Sequence, residues 1–502
     1  MNNTVKGIIA GGAALVVLGG GIAVLKLTEK EPEESSVVQE EVKALWTYDS
    51  DDVSKVTLIR ADGEKVVANR VISKQKDVDL DGNDIETDVV DYVMEGYEDL
   101  PMEKLSLRLL ASRACDVFAS QIVKENATDE DLKNFGLDQP MKVRLDIDDQ
   151  DPLEFNIGDI SPDVQYSYVS LASDPKTVYS ISSTFVEPYR EETLCLLSTT
   201  LTEGIDSENG PQVTDVLIER KDLDYNFHFV YDSFYEDDHN GGSAPTLIMV
   251  EPVRSLLNEE KSRMATHGLY SLLATDIVKP HPTEEDFAKY GLDDPCLRVT
   301  SKSDDGKTWV LTFGDTYTYT DPHDEEIKKT LYYGYFEGIN CIYGFSTDEL
   351  IYTTMKPEDL NSKLVFETYV WDITRLTYQA GSDKLDFTVK AESQDDAVVK
   401  VNGRETDPER YRKLYTSLLQ SSAEEIVTDE VDTSTMTPLI SVHLEQKEIG
   451  RGYDVDFYDA GGLKAYIAVN GNVYFKCRKS YVDTLTGNIG KYFSDEDFVM
   501  TW

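Results

Sequence analysis

The feature that most limits what this chain can fold into is a turn-forming string that occurs twice. Phe135-Gly136-Leu137-Asp138-Gln139-Pro140 returns as Tyr290-Gly291-Leu292-Asp293-Asp294-Pro295, 155 residues further on. A period of that length, carried by turn residues in similar surroundings, indicates that a whole domain was duplicated. The chain has 502 residues, whereas single domains usually run to roughly 100 to 200, so two or three cores are expected.

The surroundings extend the period and add a third copy. Val53-Ser54-Lys55-Val56-Thr57-Leu58-Ile59, Val213-Thr214-Asp215-Val216-Leu217-Ile218 and Ile373-Thr374-Arg375-Leu376-Thr377-Tyr378 are alternating, β-branched openings whose central residues Val56, Val216 and Leu376 recur at intervals of 160. Each is followed by a turn and a second strand-like run (64–71, 225–231, 385–390), which predicts a hairpin. An amphipathic helix is expected next. In the third copy Asp407 is the N-cap, Pro408 takes the first helical position, and Tyr411, Leu414, Tyr415, Leu418 and Leu419 mark one face. In the first copy Pro101 precedes Met102, Leu105, Leu109 and Leu110, and in the second Met264, Leu269, Leu272 and Leu273 mark the face. Short β-prone runs follow at 122–124, 277–279 and 425–427.

The repeated string has a physical reading. Thr128 and Thr283 can cap a short helix with Asp131 or Asp286 at its third position. Gly136 and Gly291 then stop that helix, since glycine takes the left-handed conformation without steric cost. Leu137 and Leu292 fold back, and the segments ending in Pro140 and Pro295 hold the chain extended, with Asp138 and Asp293 in the turn, to launch the next strand. The string is a corner of the fold. The third copy lacks it but keeps the hairpin, the helix and later strands. The expected fold class is α+β: three tandem repeat units, each a mostly antiparallel sheet, behind one N-terminal transmembrane helix. The units are expected at 45–205, 211–365 and, diverged, 366–502.

Residues Gly7 to Leu25 are uncharged for 19 positions between Lys6 and Lys26, about the length needed to cross a bilayer as a helix. With no convincing cleavage site, an uncleaved signal anchor over residues 7–27 is expected, with a short cytoplasmic tail (1–6), an acidic tether (28–44) and the bulk of the chain extracytoplasmic. The formal net charge of −47 repels phosphate backbones, which excludes nucleic acid as a natural partner and leaves cations and basic surfaces as permitted ligands. Cys115, Cys195, Cys296, Cys341 and Cys477 are widely spaced without a C-x-x-C pair, so each is expected to be a small buried apolar residue rather than part of a disulfide or zinc framework.

The sharpest local constellation runs from Asp77 to Asp88. Asp77, Asp79 and Asp81 at positions 1, 3 and 5, with Gly82 at 6, match the way an EF-hand-type loop wraps oxygens around calcium, and Asn83, Glu86 and Asp88 complete the candidate ligands. The fit is partial, because position 12 is Asp88 rather than glutamate and the flanks read as strands; an acidic hairpin turn is the competing reading. The six histidines form no H-E-x-x-H pattern, and no nucleophile elbow or phosphate-binding glycine loop is present, so no catalytic residue is assigned. The tyrosine-rich strands could stack on sugars, but tyrosine is a favoured strand residue and packing is the simpler account.

The string of hairpin, helix, D-L/F-x-x-F/Y-G-L-D-x-P, strand and I/F-G-D resembles the bacterial domain-of-unknown-function family numbered 4340, over nearly all of residues 45 to 500. Members are typically membrane-anchored and often encoded beside permeases of ABC-type export or gliding systems. The resemblance implies a non-enzymatic accessory or scaffold protein of an ABC-type transport complex, with an ABC-type permease or another envelope protein as partner. Two other classes stand beside it. One is a surface binding module, calcium-assisted, for cell-wall polymer or a basic protein. The other is a hydrolase, which would need acidic or histidine side chains converging in a deep pocket.

Overall fold

The computed structural model describes residues 43–78, 84–205, 210–232, 247–321, 326–348, 350–366, 368–370, 372–391, 393, 396–420, 423–447 and 452–501. The expected tail, the anchor over residues 7–27 and nearly all of the tether lie outside these residues. Among those described, no helix is long and apolar enough to cross a membrane.

Three large antiparallel sheets carry the chain, and they follow one strand order. Across the first lie Asp84–Met94, Lys65–Val78, Val53–Ile59, Met141–Ile147, Leu153–Ile160, Tyr166–Leu171, Asp174–Ser182 and Gln121–Lys124. Across the second lie Ser255–Leu256, Leu247–Glu251, Phe227–Tyr231, Val213–Arg220, Leu297–Ser303, Thr308–Thr320, Lys328–Phe336, Cys341–Ser346 and Asp276–Pro280. The third runs Arg404–Glu405, Val398–Val401, Asp383–Lys390, Ile373–Ala380, Ile440–Gln446, Gly452–Asp459, Lys464–Val469, Asn472–Arg478 and Glu425–Ile426. In each, the opening hairpin pairs with the first strand after the crossover, placing Val56 opposite Leu145, Val216 opposite Ser301 and Leu376 opposite Leu444.

A shared irregularity ties the three openings together. The register slips after Val53, Val213 and Ile373, at Ser54, Thr214 and Thr374. Each of those hydroxyls donates to a backbone carbonyl across the ladder: Ser54 to Asp146 at 3.0 Å, Thr214 to Lys302 at 3.3 Å and Thr374 to Glu445 at 3.2 Å. A bulge frees a carbonyl from the ladder, and a short hydroxyl side chain can reach it.

The expected helices form, but two of the three predicted faces need correction. In Lys104–Ser112, Leu107 and Leu110 are fully buried whereas Leu105 is 65% exposed. In Glu259–His267 the buried residues are Ser262, Ala265 and Thr266, Met264 faces solvent, and Leu269 and Leu272 are buried beyond the helix end. The third helix, Pro408–Leu419, buries Tyr411, Leu414, Tyr415 and Leu418, with the Asp407 side chain accepting from the Glu409 amide. It packs against a C-terminal helix, Lys479–Gly490, that the sequence reading did not anticipate; Tyr481 on that helix donates to the Ser417 carbonyl at 3.1 Å.

By compactness the chain divides into two units. The residues up to Val67 and Leu109–Arg190 form one, and Ala68–Arg108 with the residues from Glu191 form the other. In the first, the core lies against the helix-bearing side of the sheet: Trp46 stacks on Phe155 at 4.8 Å, and Tyr48 and Tyr189 donate to the carbonyls of Ala111 and Leu110. In the second, Phe227, Phe229 and Phe313 are fully buried in one sheet's core and Tyr378, Phe387 and Tyr411 in the other's. This partition differs from the expected spans 45–205, 211–365 and 366–502, although each large sheet begins and ends within one of them.

Candidate functional site

The corner assembles from local rules. Thr128 accepts from the Asp131 amide at 3.2 Å while Asp131 accepts from the Thr128 amide at 2.9 Å, and Thr283 and Asp286 repeat the exchange at 3.3 and 2.9 Å. These reciprocal bonds satisfy amides that the helix start leaves open. The amides of Thr128 and Thr283 also hold the Asp131 and Asp286 carboxyls below their ordinary range. At the other end, the Leu137 amide reaches back to Leu132 and that of Leu292 to Phe287, both at 2.8 Å, across Gly136 at φ +65° and Gly291 at φ +71°. This is a Schellman closure, with its leucine packed on the helix it has just left.

What the corner packs against was not read from the sequence. Asp159 donates its amide to the Phe135 carbonyl at 2.8 Å, and Asp315 to Tyr290 at 2.9 Å. The ladder slips at these points, after Ile157 and after Phe313. A Cβ on Gly158 would lie 2.1 Å from the Phe135 oxygen, and one on Gly314 2.1 Å from that of Tyr290. Gly158-Asp159 and Gly314-Asp315 are therefore the receiving halves of the corner. A glycine inside a strand is the sequence signal for such a close backbone approach. Arg190 adds a bond from its Nη2 to the Gly158 carbonyl at 2.7 Å, and burial lowers its affinity for the proton.

The corner's product is a small second core on the sheet. In the first copy Leu137, Ala127 and Val178 cluster with Leu132, Phe135 and Tyr168; in the second Leu292, Tyr290 and Ile342 cluster with Phe287, Tyr333 and Tyr335. In the third sheet Val431 and Met436 pack on Val427, Tyr458, Ala468 and Val473 instead, and no register slip interrupts the strands that correspond to those carrying Gly158 and Gly314. The carboxylates of Asp138 and Asp293 are exposed, and Pro140 and Pro295 lie directly before or near the next strand. The corner holds no convergent reactive groups.

The described ends of the Asp-rich stretch belong to two paired strands, Lys65–Val78 and Asp84–Met94. Asp77 stands opposite Ile85, Lys76 opposite Glu86 and Lys74 opposite Asp88. Glu86 and Asp88 are thus ladder residues two apart on one strand, with Glu86 3.9 Å from the Lys74 ammonium. Asp79, Asp81 and Asn83 lie outside the described residues. Among those described, no group of three or more histidine, cysteine or acidic side chains could hold a metal ion.

A polar groove lies on the third sheet. It encloses about 450 Å³ and is lined by Thr377, Ser441, His443, Asp454, Asp456 and Asn470 among others. His443 bonds Asp454 through Nδ1 at 2.6 Å and Glu445 through Nε2 at 3.2 Å. Asp454, then Glu445, hold its proton above the ordinary value. Ser441 donates to Asp456 at 2.5 Å. Because the hydroxyl engages a carboxylate and both imidazole nitrogens are committed to others, serine and histidine do not form a nucleophile–base pair. The groove can hold a proton on His443 and offer polar contacts. His228 and His281 likewise meet single carboxylates, Asp215 and Asp99, each at 2.9 Å. A second crevice, floored by Ile248, Leu256, Val365 and Val469, has room for about 20 Å³, the size of one water. None of the five cysteines is in a disulfide; Cys341 and Cys477 are buried as expected, whereas Cys115 and Cys296 are half-buried and Cys195 is exposed, a correction to their expected burial.

Fold and side chains together define a chain of mostly antiparallel sheets with helices packed on them and a glycine corner in two copies. Residues 92–222 match the family model described as Domain of unknown function (DUF4340), so the resemblance to family 4340 is shown over that span. No curated protein and no solved structure matches the chain.

Proposed function

We propose that the protein is a membrane-anchored, extracytoplasmic, non-enzymatic scaffold of three tandem units, serving an ABC-type transport complex. The observation that carries the reading is the strand order common to three sheets, together with the hydroxyl-bridged bulge at Ser54, Thr214 and Thr374. Successive copies of one unit supply broad surfaces, and repeated architectures commonly use such surfaces for binding. The match over residues 92–222 and the uncharged stretch Gly7 to Leu25 support the location. Co-purification from detergent-solubilised membranes tests it: a permease or ATPase is expected to accompany the full-length chain, and its consistent absence would overturn the transport assignment.

A second reading is a calcium-assisted surface module for cell-wall polymer or a basic protein, favoured by the acidic sequence from Asp77 to Asp88. Calorimetry is expected to show calcium binding that Asp79→Ala with Asp81→Ala abolishes. No heat at millimolar calcium would retire that reading and leave the scaffold assignment in place.

A further inference from the structure

We propose that the outer edge of the strand Asp84–Met94 accepts an extended, basic segment of a partner protein as an added β-strand. The proposal rests on reading the protein as an interaction subunit, and it names the surface and the chemistry of the partner.

The three sheets provide an internal comparison. In the second and third, the strand corresponding to Asp84–Met94 is followed by a two-residue strand that pairs with its outer side. Leu256 stands opposite Ile248, and Glu405 opposite Lys400. Among the described residues the first sheet has no such strand and ends at Asp84–Met94. That terminal strand is also long, with 11 residues where its counterparts Leu247–Glu251 and Val398–Val401 have 5 and 4. Its pairing runs from Ala68 opposite Met94 to Val78 opposite Asp84 without a register slip.

Exposed edges invite further strands, and proteins normally blunt them by shortness, proline, lysine or a bulge. The sequence of this strand, DIETDVVDYVM, contains no proline and no lysine, and its ladder is regular. It carries acidic residues instead. Glu86 and Asp88 are exposed and share one face, while Asp91 is engaged by Lys104 and Arg108 at 3.5 and 2.7 Å. Lys74 on the inner neighbour places its ammonium 3.9 Å from Glu86, so a cation flanks the acidic strand on that side.

Like charges directly opposite each other destabilise a strand pair, and opposite charges favour it. Two copies of this edge would bring carboxylates against carboxylates, which opposes self-pairing. A strand with lysine or arginine at alternate positions would set cations opposite Glu86 and Asp88. Main-chain bonds would supply affinity and the alternate charges specificity, as in other recognition by strand addition.

The test uses the full-length chain in detergent and a synthetic Val-Lys-Val-Lys-Val-Lys-Val peptide, followed by amide hydrogen exchange and calorimetry. The peptide is expected to slow exchange within residues 86–91, and Glu86→Lys with Asp88→Lys to weaken it about tenfold. A peptide N-methylated at alternate residues keeps the charge and loses the main-chain donors, so it is expected not to protect. Equal protection by the methylated peptide, protection confined to other residues, or unchanged affinity of the double variant would overturn the proposal. So would protection of residues 86–91 by concentration-dependent dimerisation, which would make a second copy the occupant. Co-purification separates the two levels: a membrane partner retained by the double variant sinks the edge proposal alone, whereas a partner absent from the unmodified chain sinks the scaffold reading, with peptide binding still deciding the edge.

Discussion

At Gly136 two constraints coincide. Its φ of +65° is one that side chains with a Cβ resist, and an added Cβ would fall 2.5 Å from Asp159 Cγ and 2.8 Å from the Asp159 amide nitrogen. Gly63 has φ +94° but nothing within 4 Å of a Cβ. Gly136→Val is therefore expected to cost about 2–4 kcal/mol and Gly63→Ala only about 1–2, read from urea midpoints. Equal losses would show that backbone strain alone, and not the packing on Asp159, restricts the corner. His443 offers a residue-scale test in pH. Its proton is held above the ordinary value of about 6.5, so the Asp454 and Glu445 contacts contribute stability that is fully present below that value and is lost as pH rises through the folded value. The melting temperature of the unmodified chain should exceed that of His443→Gln at about pH 5, and the difference should shrink by about pH 8. The half-exposed ring keeps the effect small. A difference independent of pH would mean that the pair does not titrate as described.

Among the elements, those governed by nearest neighbours were legible in the sequence, and those governed by packing were not. The capping boxes at Thr128 and Thr283 and the stops at Gly136 and Gly291 depend on a few consecutive residues, and they form as read. The helix Lys104–Ser112 carries leucines at 105, 107, 109 and 110, so apolar periodicity does not single out one face. Burial chooses Leu107, and Leu107→Ala is expected to cost about 2–5 kcal/mol where Leu105→Ala costs about 0.5 or less, by chemical denaturation. A reversed order would restore the face read from the sequence. In Glu259–His267 the buried face is made of Ser262, Ala265 and Thr266, with the Thr266 hydroxyl donating to the Ser262 carbonyl at 3.1 Å. Small residues allow close packing and can satisfy their own hydroxyls, so a rule that counts large apolar side chains selects Met264 instead.

For the whole molecule, the division into two compact units predicts that thermal unfolding is not a single two-state transition. Calorimetry should resolve at least two, and Gly136→Val should lower the one belonging to Leu109–Arg190 with the residues up to Val67 while leaving another in place. One transition that moves as a whole would show the units unfolding together. Location has its own test. If residues 7–27 anchor the chain, deleting residues 1–27 should move it from the membrane pellet to the supernatant, and persistence in the pellet would locate the attachment elsewhere.

The sequence by itself determined the elements whose causes are local: the alternating openings, the capped helices and the glycine corner, and their spacing displayed the repetition. The tertiary structure decided what those elements meet. It joined Gly136 to Gly158-Asp159 and Gly291 to Gly314-Asp315, and filled the third sheet's missing corner with Val431 and Met436. Among the described residues it also left Asp84–Met94 at the end of its sheet while pairing its counterparts with a further short strand. The physical reason is range: a cap or turn is fixed by bonds within a few residues, whereas close backbone approach, the buried side of a short helix and the state of a sheet edge depend on atoms brought together from distant parts of the chain.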